Sequence, residues 1–207
     1  MLSQETIAIA LAFIVGITLH EFAHGWAANR LGDPTARYAG RVTLNPIAHV
    51  DPIGSVLVPA LLVITGSTFI FGWAKPVPIN PNNFRDRRQG MILVSLAGPV
   101  GNLLVATAAA VLFRLLGSET SPAVSVLMWM VYINVFLAFF NLIPVPPLDG
   151  SKVLAGLLPG RQEWLIYLEQ YGMIILLLLI FTGLISRLVE FIVLPLSFLL
   201  LHFGSTI

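Results

Sequence analysis

Long apolar runs alternate along the chain with short polar, turn-rich stretches. Residues 5–30 form a first run of helical length, with Ser3 as its N-cap. Residues 31–51 are polar and rich in turn formers. Within them Arg37-Tyr38-Ala39-Gly40-Arg41-Val42-Thr43-Leu44 alternates, Arg37, Arg41 and Thr43 to one side and Tyr38, Val42 and Leu44 to the other, which predicts a short strand. Residues 52–72 are apolar but broken by Pro52, Gly54, Pro59 and Gly66. "AKPVPINPNNFRDRR", 74–88, reads as a proline-rich extended loop in which Pro76 and Pro78 confine any strand to an edge. Residues 91–116 and 122–143 each predict a spanning helix, the second running into "NLIPVPPLDG" at 141–150. A short amphipathic stretch follows, then apolar segments at 165–185 and 187–203, the last interrupted by Pro195.

This pattern predicts a mainly α, polytopic membrane protein with about five to six apolar helical segments, a small β element after the first helix and a re-entrant 52–72 segment. It reads as a single transmembrane domain over 1–207, with a core at 5–158 and additional C-terminal membrane helices at 165–203. Lys and Arg gather on the cytoplasmic side of membrane proteins. Arg30, Arg37 and Arg41 follow the first helix, and Lys75, Arg85, Arg87 and Arg88 follow the 52–72 segment. Both clusters are cytoplasmic only if 52–72 dips in and returns. The N-terminus is then outside, and the first helix runs inward.

Composition sharpens this. The chain is 57% hydrophobic and only 10% charged over 207 residues, where a soluble domain is about a quarter charged. The net charge of +1 and the lack of a basic run exclude nucleic acid as a partner. There is no cysteine, so disulfides, thiolate metal sites and cysteine nucleophiles are excluded together. The N-terminus lacks the form of a secretory signal, since no Lys or Arg precedes the first run.

Against this background "ITLHEFAHGWAANRLGD", 17–33, is conspicuous. Ionisable groups at membrane depth are costly, of order 2.5 kcal/mol or more each, and are kept for a partner or a function. His20 and His24 lie one turn apart on one helical face, able to bite one metal ion, and Glu21 flanks them. This is the H-E-x-x-H arrangement of two imidazoles on zinc with a glutamate as general base. The bland alternative is two core histidines and a stray glutamate. A catalytic zinc takes three protein ligands and an open position. His49 and His202 are the remaining histidines. Asp149, in the irregular "PVPPLDG" stretch, is a further candidate, its competing role being an N-cap for a short helix. With 52–72 not crossing, the helices at 91–116 and 122–143 bring Asp149 back to the depth of His24.

"HEFAH", "NPIAHVD", "AGPVGN" and "FNLIPVPPLDG" together resemble the site-2 protease family of intramembrane zinc metalloproteases, peptidase family M50, in its compact prokaryotic form without PDZ or CBS domains. The resemblance spans about residues 15–155. It implies one Zn2+ held by His20, His24 and Asp149, with Glu21 as catalytic base. It implies single-span transmembrane substrates cut within or near the bilayer, and the placement of the basic clusters sets the site toward the cytoplasmic side of the cell membrane. In the family an asparagine at the position of Asn141 holds the substrate or orients the site. Asn134 and Asn102 read as amides bonding helix to helix, and His49 and Asp51 as structural or gating residues rather than zinc ligands. The 37–44 strand and the 74–80 loop are candidate edges for an unwound substrate to join. The resemblance leaves the oligomeric state open. The competing function is a non-proteolytic membrane zinc-binding or transport protein, and against it stands the general base beside the ligands.

Overall fold

The computed structural model describes residues 3–65, 72–116, 121–158 and 163–202. Among the described residues four helices are long and apolar enough to cross a membrane: Gln4–Arg30, Arg87–Leu116, Pro122–Asn141 and Leu184–His202. The first three are α1, α4 and α5. Between them lie α2 (Thr35–Tyr38) and α3 (Val58–Ile64), and after them α6 (Asp149–Leu157), α7 (Glu163–Phe181), α8 (Leu184–Leu188) and α9 (Leu194–His202). α8 and α9 join through a π turn at Val189–Val193 into the fourth span. Ser3 caps α1, its hydroxyl accepting from the Thr6 amide, and Ser121 caps α5 in the same way.

α1, α4 and α5 form the centre of the bundle, each packed on the other two. Small residues set the spacing. Ala106, Ala109 and Ala110 of α4 pack on Val131 and Val135 of α5 and on Val193 and Leu201 of the fourth span. Phe198 and Phe181 point away from this core, 61% and 83% exposed, as side chains facing lipid do.

The small β element expected after α1 is absent: no strand occurs among the described residues. In place of the 37–44 strand stand the short helix α2, a turn at Ala39–Gly40 and bends at 42–44. The reason lies at both ends. Asp33 Oδ1 accepts from the Thr35 amide and hydroxyl and so starts α2. Gly40 then takes φ +66°, which reverses the chain before any strand extends. The alternation also misleads about direction, for Tyr38 is 83% exposed while Arg41 is buried.

The 52–72 segment begins with a π turn, Pro52–Leu57, and continues into α3. The apolar helix Pro52–Leu62 is too short to span. Its two flanks are tied together, since the Trp73 amide donates to Gly54 O and Ser55 Oγ donates to Trp73 O. By Trp73 the chain is therefore back at the level of Gly54. Residues 66–71 lie outside the described residues.

Candidate metal centre

His20 and His24 are buried on the face of α1 that meets α4, and Asp149 is buried at the first turn of α6. Their side chains converge. His20 Nε2 and His24 Nε2 are 3.0 Å apart, and Asp149 Oδ2 lies 3.1 Å from the first and 3.0 Å from the second. Among the described residues this is the one group of three such side chains placed to hold a metal ion. A tetrahedral zinc site with bonds of about 2.05 Å has donor–donor edges of about 3.3 Å, close to this triangle.

The ring nitrogens facing away decide what the triangle is. His24 Nδ1–H donates to the Val94 carbonyl, 2.7 Å away. His20 Nδ1 meets Asn102 Oδ1 at 2.6 Å. The Asn102 amide nitrogen donates to Gly16 O and to Asn134 Oδ1, which leaves Oδ1 as the acceptor and His20 Nδ1 as the donor. Both neutral imidazoles therefore turn an Nε2 lone pair inward, onto a carboxylate oxygen. Three lone pairs converging without a hydrogen between them make a cation site, and the donor set suits zinc.

Two glycines let the pieces close. A Cβ on Gly98 of α4 would lie 2.4 Å from His24 Nε2 and 2.6 Å from His20 Cε1. One on Gly150 would lie 2.2 Å from Leu142 O, where α6 crosses the end of α5. Arg88 of α4 grips the other end of α6, its guanidinium donating to the Gly156 and Leu157 carbonyls. Asp149 does not act as an N-cap: that position belongs to Leu148, and the carboxylate turns to the histidines. Lys152 Nζ sits 3.4 Å from Asp149 Oδ1, leaving Oδ2 for the cluster.

Glu21 flanks the cluster, half-buried, next to His20 on α1. Its Oε2 accepts from the Val77 amide at 3.0 Å. Asn141 is not brought into the cluster; its amide nitrogen donates to Leu137 O in its own helix. His49 is buried and donates from Nε2 to Thr43 O, and Asp51 caps the turn at Ile53 and Gly54. His202, stacked on Phe198, bonds the Phe198 carbonyl at the far end of the fourth span.

The spacing argument missed Asn102, read only as an amide between helices. It does join helices, with Asn134 bonding on to Met130 O, but its oxygen also holds His20. The signal was present in "AGPVGN": Gly98 and Asn102 are one turn apart, a gap and an acceptor on one face.

Comparison with known proteins supplies the family. The model of Peptidase family M50 matches residues 116–182, which include Asp149 and Asn141. The chain is 39% identical to "Putative zinc metalloprotease YwhC" of Bacillus subtilis (strain 168) over 186 residues, 85% of this chain and 81% of that one. It is 31% identical over 186 residues to Rip2 of Mycolicibacterium smegmatis, covering 87% of this chain and 69% of that one. It is 38% identical over 146 residues to MJ0611 of Methanocaldococcus jannaschii, covering 67% and 64%; both carry the same description as YwhC. No solved structure matches the chain.

Proposed function

The chain belongs to peptidase family M50 and is a zinc metalloendopeptidase in a multi-pass membrane protein, and on that premise we propose that it cuts single-span transmembrane proteins within or near the bilayer. The observation that carries this reading is the placement of the cluster. His20 and His24 lie well inside a spanning helix, buried against α4, and Asp149 is folded in beside them. A hydrolytic centre built into spanning helices meets substrates that are themselves in the membrane.

On this reading His20, His24 and Asp149 hold the metal and Glu21 is the general base. Zinc, when bound there, supplies Lewis acidity toward water and the scissile carbonyl. Glu21 takes the proton that water gives up, at Oε1, for which the described residues provide no hydrogen-bond partner, while Oε2 is held by Val77. A helical substrate keeps its carbonyls bonded within itself, so the segment to be cut must unwind first. Asn141, at the end of α5, is a candidate contact for that unwound backbone.

With the basic clusters Arg30–Arg41 and Lys75–Arg88 on the cytoplasmic side, this reading has the N-terminus outside and the site toward the cytoplasm. His24 and Asp149 share one depth, which requires an even number of crossings between them. α4 and α5 supply two, and the Gly54–Trp73 contacts return the intervening segment to its own side.

The test compares wild type with Glu21→Gln in detergent, measuring bound zinc and cleavage of synthetic single-span helical peptides and of a soluble unstructured peptide. About one zinc per chain in both proteins is expected, with cleavage only by wild type. Equal cleavage by Glu21→Gln removes Glu21 from the chemistry. Preference for the soluble peptide overturns the intramembrane substrate.

A further inference from the structure

Residues 73–80 pass beside α1 as a strap held at several points by its backbone. The Trp73 amide donates to Gly54 O, the Lys75 amide to His49 O and the Asn80 amide to Asp33 Oδ2. Arg41, itself buried, donates from Nη2 to the Lys75 and Pro76 carbonyls. Pro76 and Pro78 have no N–H, and each biases the residue before it toward extended backbone. From 75 to 78, then, the chain has two amide donors. One is bonded to His49, and the other, at Val77, points at Glu21 Oε2 from 3.0 Å. The Val77 side chain is buried against Gly25, one turn along α1 from Glu21.

We propose that the Val77 backbone N–H positions the catalytic base, and that the strap, with Arg41, His49 and Asp33 as its anchors, is built to present that one donor. The inference rests on the reading of Glu21 as general base. A glutamate carboxylate rotates freely about its last bond. One fixed donor on Oε2 sets the plane of the carboxylate and aims Oε1. Among the described residues no hydrogen bond joins His20, His24 or Asp149 to the strap, so losing this bond disturbs proton transfer without loosening the metal. It also gives a task to "NPIAHVD", whose His49 and Asp51 stitch the loop that carries the strap.

The strap offers a clean deletion, because a third proline fits between two others. Val77→Pro removes the donor, whereas Val77→Ala keeps it and trims only the side chain. Both are compared with wild type and Glu21→Gln, using the single-span helical peptide that wild type turns over fastest. Val77→Pro is expected to lower kcat about ten- to hundred-fold at unchanged KM and unchanged zinc content, with Val77→Ala within about two-fold of wild type. Arg41→Ala, which frees the strap without touching Val77, is expected to lower kcat in the same direction. It decides the matter if Val77→Pro does not fold. Unchanged kcat in Val77→Pro, or in Arg41→Ala where that variant decides, overturns the proposal, as does an equal loss in Val77→Ala and Val77→Pro. If Glu21→Gln itself cleaves like wild type, the reading of the base has failed, and the strap with it.

Discussion

An imidazole can offer a metal either nitrogen, and its choice is set by what the other nitrogen holds. His24 is fixed by a main-chain carbonyl, which no side-chain substitution removes, but His20 depends on one amide, Asn102. Asn102→Ala should therefore weaken zinc binding about ten- to hundred-fold, read by competition with a chromogenic chelator. Asn134→Ala should do much less, since Asn102 keeps its bond to Gly16 O and with it the orientation of its oxygen. Equal losses in the two variants would reduce Asn102 to a joint between helices. At this scale the sequence was most legible where spacing alone makes the geometry. His20, Glu21 and His24 sit on one helix, and helical pitch places them. Asn102 meets His20 from 82 positions away, and no local periodicity reports such a contact.

Short elements are held by side chains more than by their own propensity, and α2 with the strap is an instance. Asp33 is fully buried and accepts from the Thr35 amide and hydroxyl, the Asn80 amide and Asn83 Nδ2. Burial pushes its carboxyl up, but donors from Thr35, Asn83 and Asn80 prevail and hold it below the ordinary carboxylate range. The sign of the linkage follows. A carboxylate with a depressed folded pKa adds stability that is complete above its unfolded value, near 4, and is lost as pH falls through the folded value. Protection from hydrogen exchange at Thr35 and Asn80, relative to the intrinsic rate at each pH, should therefore fall on acidification below about pH 4. Asp33→Asn should raise exchange there at neutral pH, costing on the order of 2 kcal/mol, and flatten the acid response. The strand expected at 37–44 failed for the same physical reason. The alternation of residue types was real, but a buried carboxylate starting a helix and a glycine at positive φ outweighed it. The spanning helices were legible because apolar length determines them. α4 begins at Arg87 rather than 91, and α5 ends at Asn141 rather than 143, differences of a helix end.

For the whole molecule the open quantity is its direction across the bilayer, and the composition supplies the means to find it. With no native cysteine, each introduced thiol is the only one in the chain. Ser3→Cys should react with a membrane-impermeant maleimide in intact cells, and Asn82→Cys, exposed on the loop before α4, only after permeabilisation. The reverse pattern would invert the topology while leaving the metal centre as described. The bundle was predictable as a set of helices, but not their closeness. That comes from glycine and alanine contacts between α1, α4, α5 and the fourth span, which let a carboxylate from beyond α5 reach two histidines on α1.

That reach has a consequence for the birth of the enzyme. Asp149 follows His20 by 129 positions and His24 by 125. Synthesis delivers α1 first, carrying two of the proposed ligands and the base, and the third arrives only after α4 and α5 have been made. On the proposed ligand set a nascent or truncated chain that stops short of Asp149 is inert. A membrane crowded with single helices is thus never exposed to a half-made protease, because the hydrolytic centre comes into being only with the bundle that encloses it.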